Sequence, residues 1–173
     1  MSIIRKIEIT NFRCLKSFSW EPQPGINGLI GPGDSGKSTI LDAIDYCLGA
    51  RRNLQLADTD FHCLDVSQPI NITITLGKLD DALKGIEAYG PFLRGFDATT
   101  GQLAEEPEAS LETALTLQMI VASDLEPRWT LVSARGRTGA NPQSGLAGPC
   151  EDCTDTAWSI FGLQSELAQR INP

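Results

Sequence analysis

No run of apolar residues in this sequence extends beyond a few positions. A bilayer-spanning helix needs roughly 20, so a membrane-spanning helix is excluded. The opening Met1-Ser2-Ile3-Ile4-Arg5-Lys6 lacks the apolar block and small-residue cleavage site of a secretory signal, and a cytoplasmic location is expected. An excess of basic charge is also missing, with 14 Lys+Arg against 22 Asp+Glu and a net charge of -8. The basic face by which nucleic-acid-binding domains advertise themselves is therefore not displayed by the chain as a whole. The charge is uneven: residues 1–52 carry seven Lys/Arg against five Asp/Glu, whereas residues 53–173 carry seven against seventeen. Histidine occurs once, at His62. The five cysteines (Cys14, Cys47, Cys63, Cys150, Cys153) are odd in number and irregular in spacing, which fits reduced thiols better than a disulfide framework. Cys150-Glu-Asp-Cys153 is a lone pair, and a closed zinc site wants four ligands, for which only His62 and Cys63 could be added. No zinc site is expected.

What is present fits a soluble globular domain: 41% hydrophobic and 21% charged residues over 173 positions, with mean hydropathy near zero. Ile7 and Ile9 alternate with Lys6, Glu8 and Thr10, the period of a half-buried strand over Ile3 to Thr10. Asn11-Phe12-Arg13 breaks that pattern, Phe18 to Trp20 forms a return strand, and Pro22 to Gly25 a turn. Ile26 to Ile30 is the next strand. Ser38 to Gly49 is a helix with Ile40, Leu41, Ile44, Cys47 and Leu48 on one face, stopped by Gly49. Ile70, Ile72, Ile74 and Leu76 alternate strictly with polar residues as a strand does. Asp80 to Tyr89 is a short helix, and Thr99 to Ser110 an exposed connection. Leu115 to Val121 pairs with Trp129 and Leu131 in an antiparallel hairpin, its polar Thr116 and Gln118 facing out. Residues 136–173 form a Gly- and Pro-rich linker followed by a terminal helix over Thr156 to Ile171.

Gly31-Pro32-Gly33-Asp34-Ser35-Gly36-Lys37-Ser38 matches G-x-x-x-x-G-K-[ST] between a predicted strand and a predicted helix. Glycines let successive N–H groups converge on a phosphate, and the following helix adds its free N-terminal amides and positive dipole end. Lys37 supplies charge for the β- and γ-phosphates, and the Ser38 hydroxyl ligates Mg²⁺. Thr39 follows in the same helix start. Asp34 is expected to cap a neighbouring N–H or point to solvent, because a carboxylate facing the phosphates would repel them. The ligand expected here is ATP with Mg²⁺.

Ile7-x-Ile9-x-Asn11-Phe12-Arg13 followed by Gly28-Leu29-Ile30-Gly31 and the loop through Ile44 resembles the N-terminal lobe of ABC-type ATPases of the RecF, Rad50 and SMC group. Within that group, the Asp-Ser-Gly-Lys-Ser-Thr form of the loop is similar to the OLD (overcoming lysogenization defect) family of ATP-dependent endonucleases. So are Leu48-Gly49-Ala50-Arg51-Arg52, Asp60-Phe61 and Leu125-Glu126-Pro127-Arg128-Trp129. The resemblance covers about residues 1–135. It implies an α/β P-loop NTPase fold, an ABC-ATPase-like N-terminal lobe with an antiparallel β-subdomain. It also implies a role in DNA repair or phage defence, Asn11 and Arg13 near the nucleotide, and a second ATPase lobe or a second copy as partner. DNA as a partner rests on the resemblance alone.

The family pattern is not complete. A signature loop, a switch histidine and an apolar strand ending in Asp-Glu are missing, and Met119 to Glu126 alternates as an exposed hairpin strand does and not as a buried parallel one. No acidic cluster of a Toprim nuclease is recognisable. The chain therefore reads as the front portion of a larger ATPase that hydrolyses ATP slowly or not at all by itself, with the strand Ile26 to Ile30 awaiting neighbours. Two rivals stay open. One is another P-loop enzyme: Asn-Lys-x-Asp for guanine is absent, and only Arg135 and Arg137 could serve a kinase lid. The other is an interaction module that uses the nucleotide as a switch.

Overall fold

The computed structural model describes residues 2–49, 54–79, 81, 83–84 and 90–132. Strand β1 (Ile3–Phe12) turns back as β2 (Leu15–Trp20), and helix α1 (Lys37–Leu48) follows the glycine-rich loop. The remaining strands are β3 (Ile70–Gly77), β4 (Leu93–Phe96), β5 (Leu103–Ala104), β6 (Glu112–Val121) and β7 (Pro127–Val132). They form one sheet in the order β2-β1-β3-β6-β4-β5, with β7 beside β6. Every pairing among them is antiparallel.

The alternation read from the sequence builds the core directly. Register places Ile7 opposite Ile74 and Ile74 opposite Leu117, and in the next row Ile9 opposite Ile72 and Ile72 opposite Met119. Two apolar rows therefore run across three strands on one face, and all six side chains are fully buried. Helix α1 lays Ile40, Ala43, Cys47 and Leu48 on that face. Ala43 is small enough for close approach, and the Cys47 Sγ sits 3.8 Å from the Ile72 carbonyl and 3.9 Å from that of Leu117. Burial pushes the Cys47 thiol well up, against a smaller opposing hydrogen bond from the Met119 backbone.

Several expectations need correction. Strand β1 does not stop at Thr10 but runs to Phe12, with a register shift between Ile4 and Lys6 that leaves Arg5 as the extra residue. Ile26 to Ile30 is not a strand: Ile26 and Ile30 are fully exposed, and only Leu29 packs against the core. An apolar alternating segment becomes a strand only when a neighbour takes its N–H and C=O groups, and none of the described strands does so. Leu41 faces out of the helix and not in, because it lies one residue round from Ile40, off the buried stripe. Thr116 is buried and not solvent-facing: β6 is a central strand with three neighbours, and the Thr116 and Thr75 hydroxyls bond across it at 3.2 Å. The connection after Thr99 contains β5, although its remainder is exposed as expected apart from the half-buried Gly101. Of the helix read over Asp80 to Tyr89, Asp81, Leu83 and Lys84 are described and lie in turns. The rest of that helix, the 136–173 linker and helix, and Cys150 and Cys153 lie outside the described residues.

Candidate functional site

The glycine-rich loop lies against the turn between β1 and β2. A cleft of about 230 Å³ is lined by Arg13, Cys14, Asp34, Ser35, Gly36, Lys37, Ser38 and Thr39. Helix α1 starts from Gly36, whose φ of 89° lies in the left-handed region. The first helical hydrogen bond runs from the Ile40 N–H to the Gly36 carbonyl at 2.9 Å. The Lys37, Ser38 and Thr39 amides thus precede the helical ladder, where an anion can take them. The Ser38 hydroxyl is exposed, Thr39 is buried, and Gly31, Pro32, Gly33, Asp34 and Ser35 are all exposed. Asp34 has a φ of 57°.

The Lys37 ammonium folds back over its own loop. Its Nζ donates to the Gly31 carbonyl at 2.8 Å, to the Pro32 carbonyl at 2.6 Å and to the Ser35 Oγ at 3.1 Å. All three ammonium donors have acceptors, so the charge is held at the mouth of the loop by groups that carry no full negative charge.

The floor beneath Gly36 is the β1–β2 turn. A Cβ added at Gly36 would come within 2.9 Å of a Leu15 methyl and 3.1 Å of the Cys14 Sγ, and the Cys14 Sγ is 3.5 Å from the Thr39 Oγ1. Two non-glycine residues there lie in the left-handed region, Asn11 (φ 56°) near the end of β1 and Arg13 (φ 49°) in the turn itself. Such a conformation costs on the order of 1–3 kcal/mol and persists where surrounding contacts enforce it.

The contacts are present. The Arg13 N–H donates to the Asp60 carbonyl at 2.7 Å, and the Arg13 carbonyl meets the His62 Nδ1 at 2.9 Å. The guanidinium donates through Nε to Asp60 Oδ1 at 2.8 Å, through Nη1 to Asp42, and through Nη2 to the Tyr46 hydroxyl at 3.1 Å. It also lies 4.9 Å from the centre of the buried Phe12 ring and 5.7 Å from that of Tyr46. Burial acts to lower the Arg13 pKa, but the bonds to Asp60 and Asp42 and the neighbouring Tyr46 outweigh it and raise the pKa.

The two residues expected beside the loop by resemblance therefore part ways. Arg13 lines the cleft. Asn11 does not: its side-chain amide donates to the Asp65 carbonyl at 3.0 Å and the Gln68 carbonyl at 2.7 Å, in a separate concavity with Lys16, His62 and Cys63. Pattern reasoning did not nominate Asp42, Tyr46, Asp60, Cys14 or Leu15. Asp42 and Tyr46 stand one turn apart on α1, so a single long side chain can reach both, which was a usable signal. Asp60 is 47 residues from Arg13, and no local pattern announces that pairing. Among the described residues, no group of three or more His, Cys, Asp or Glu could hold a metal ion. None of the described helices is long and apolar enough to cross a membrane.

A left-handed glycine opening a helix, with the lysine after it folded over the preceding loop, is P-loop geometry, carried here on an α/β lobe with an antiparallel β-subdomain. The sequence profile of the AAA ATPase domain matches residues 2–128, and the chain belongs to that family. It is 42% identical over 64 residues to a DNA replication and repair protein RecF from Chlorobium phaeovibrioides, covering 37% of this chain and 17% of that protein. It is 33% identical over 76 residues to an OLD nuclease from Thermus scotoductus, covering 42% of this chain and 14% of that one. A solved chain, described under ATP-driven dimerization and DNA-stimulated activation of SMC ATPases, superposes with a TM-score of 0.48 at 16% identity. The superposition covers 91% of this chain and 79% of that chain. The chain spans less than a fifth of the length of the RecF and OLD relatives.

Proposed function

We propose that this chain binds ATP with Mg²⁺ through Gly31 to Thr39, as the nucleotide-binding lobe of a RecF- or OLD-like ATPase acting in DNA repair or phage defence. The observation that carries the reading is the arrangement of Lys37. Its ammonium sits on Gly31, Pro32 and Ser35 at the mouth of a cleft, and phosphate oxygens are stronger acceptors for it than those carbonyls. The loop fits the group: Gly36 supplies a backbone turn that an L-residue resists, and the helix start supplies amides. The exposed Ser38 hydroxyl would hold Mg²⁺. That ion keeps most of its shell as water and phosphate oxygen, so it does not require a carboxylate cluster, and none occurs among the described residues. Bound there, Mg²⁺ would neutralise charge on the phosphates.

Hydrolysis by this chain alone is proposed to be slow. The acid of the Met119 to Glu126 segment best placed to mimic an Asp-Glu strand end is Asp124, which pairs with Arg128 in an exposed turn. The exposed Ile26, Ile30 and Leu41 favour pairing with a second ATPase lobe or a second copy, and a cytoplasmic site of action is part of the proposal. Titrating Mg-ATP into the wild type and Lys37→Ala tests the reading. Binding by the wild type, weakened about 10–100-fold in the variant, is expected from loss of charge-assisted bonds of roughly 1.5–3 kcal/mol. Equal affinities would remove Lys37 from the site, and ordinary enzymatic turnover by the wild type would refute the slow-hydrolysis part.

A further inference from the structure

Arg13 stands at the edge of the phosphate cleft, where a cation invites the role of a phosphate ligand. Its surroundings argue for a different one. Each of its three guanidinium nitrogens already donates to a protein acceptor, on Asp60, Asp42 and Tyr46. A phosphate taking the guanidinium would strip two carboxylates of their partner and approach them closely. The turn that Arg13 closes is held in a left-handed backbone on both sides of Phe12. Cys14 and Leu15, which follow Arg13, supply the side-chain atoms that a Cβ at Gly36 would meet.

We infer that Arg13 is a positioning residue: tied to Asp42 on α1 and to Asp60 on the following loop, it presses the β1–β2 turn against Gly36 and so sets the level at which the Gly36 to Ser38 amides sit. The inference rests on the proposed nucleotide site. Three segments meet in the clamp. Asp42 lies just over a turn into the helix that begins at Lys37, so the clamp ties the helix start to the turn directly. Asp60 fixes the turn twice, accepting the Arg13 N–H at its carbonyl and Nε at its carboxylate, and its other oxygen receives the Ala57 N–H at 3.1 Å. The His62 ring closes the far side on the Arg13 carbonyl.

The two roles predict opposite signs for Asp42→Asn. If Arg13 were a phosphate ligand, removing the carboxylate that holds it would free its charge for the nucleotide and tighten binding. If Arg13 positions the turn, the same change lets the turn lift and weakens binding.

The test uses the full chain with Cys63, Cys150 and Cys153 replaced by Ser, so that the exposed Cys14 and the buried Cys47 are the remaining thiols. Two quantities are read well below the melting temperature: the rate at which a thiol reagent labels Cys14, and the affinity for Mg-ATP. In the parent, Mg-ATP should slow Cys14 labelling. In Asp42→Asn and Arg13→Lys, labelling without nucleotide should rise several-fold and Mg-ATP affinity should fall about tenfold, the equivalent of one charge-assisted bond. Asp42→Glu should restore both in large part. A lower melting temperature with unchanged labelling and affinity would make the network merely structural and overturn the inference, as would tighter binding by Asp42→Asn. If the parent does not bind Mg-ATP at all, the nucleotide reading fails, yet the labelling rates still decide whether the clamp holds the turn.

Discussion

Gly36 is where the proposed binding site and the fold share a residue, and its replacement by alanine separates the physical terms. The backbone there has a φ of 89°, which an L-residue resists by about 1–2 kcal/mol. The added methyl group would meet a Leu15 methyl at 2.9 Å and the Cys14 Sγ at 3.1 Å. The Leu15 atom is the far end of a flexible side chain and can rotate aside, while the sulfur needs only a few tenths of an ångström. The conformational cost therefore dominates, and the total should be about 2 kcal/mol. For a chain of this length that lowers the melting temperature by about 4–8 °C. Gly33→Ala is the internal control: its φ is not positive and an added Cβ meets nothing within 4 Å. Alanine there should leave stability unchanged or raise it by up to about 1 kcal/mol, by restricting the unfolded chain. Thermal and urea unfolding of both variants measures the difference, with Mg-ATP titration alongside. If Gly36→Ala melts with the wild type, or if Gly33→Ala falls as far, the left-handed helix start is not what selects glycine.

The remaining tests reach other parts of the molecule. Asp97 accepts bonds from the Thr99 N–H, the Thr99 hydroxyl and the Thr100 hydroxyl at 2.6–2.8 Å. Led by the Thr99 hydroxyl, these bonds hold its carboxyl down at about 2. Because the folded value is depressed, the contribution to stability is present above the ordinary carboxylate pKa and is lost as pH falls through about 2. An NMR titration should find a midpoint near 2 that rises in Thr99→Val, and an unperturbed midpoint in the wild type would refute the turn geometry. Glu112 bridges the Arg5 guanidinium at 2.5 Å and the Lys78 N–H, in a site where both charged side chains are largely buried. Glu112→Ala should destabilise the fold by about 3 kcal/mol, since a buried cation loses its partner. Denaturation by urea reads this directly, and a loss under about 1 kcal/mol would mean that the pair is solvated.

The sheet was legible where each strand carries its own record of burial. Ile70 to Leu76 alternates without interruption because one face of β3 meets the helix and the other carries polar side chains that bond within the sheet. The bend before α1 was legible because the helix start needs a left-handed backbone, which glycine supplies at Gly36. What escaped was whatever depends on a neighbour. The sequence of Ile26 to Ile30 has strand character, but a strand exists only in a ladder, and that information lies in other segments. Thr116 looks like a solvent-facing residue until β3 brings Thr75 alongside, after which two hydroxyls satisfy each other in a buried position. The Arg13 network escaped for the same reason: resemblance put Arg13 beside the nucleotide, but its pairing with Asp42 and Asp60 exists only through the β1–β2 turn.

That division also decides how cleanly the site can be probed. The buried core draws on β1, β3, β6, α1 and the segment around Leu56 and Phe61, while residues 26–35 contribute only the half-buried Leu29. Replacing exposed loop residues should therefore change ligand affinity while leaving the unfolding transition in place, because little apolar area leaves water through them. Gly36 and Arg13 are the exceptions. One is buried beneath the helix start, and the other joins the core-facing Phe12 and Tyr46 rings to the phosphate cleft. In the proposed binding mode, a nucleotide seated on the helix amides would push on the same Gly36 that the turn supports from below. Binding of that kind would reach the sheet through the contact with Cys14 and Leu15, and not through the exposed segment that precedes the loop.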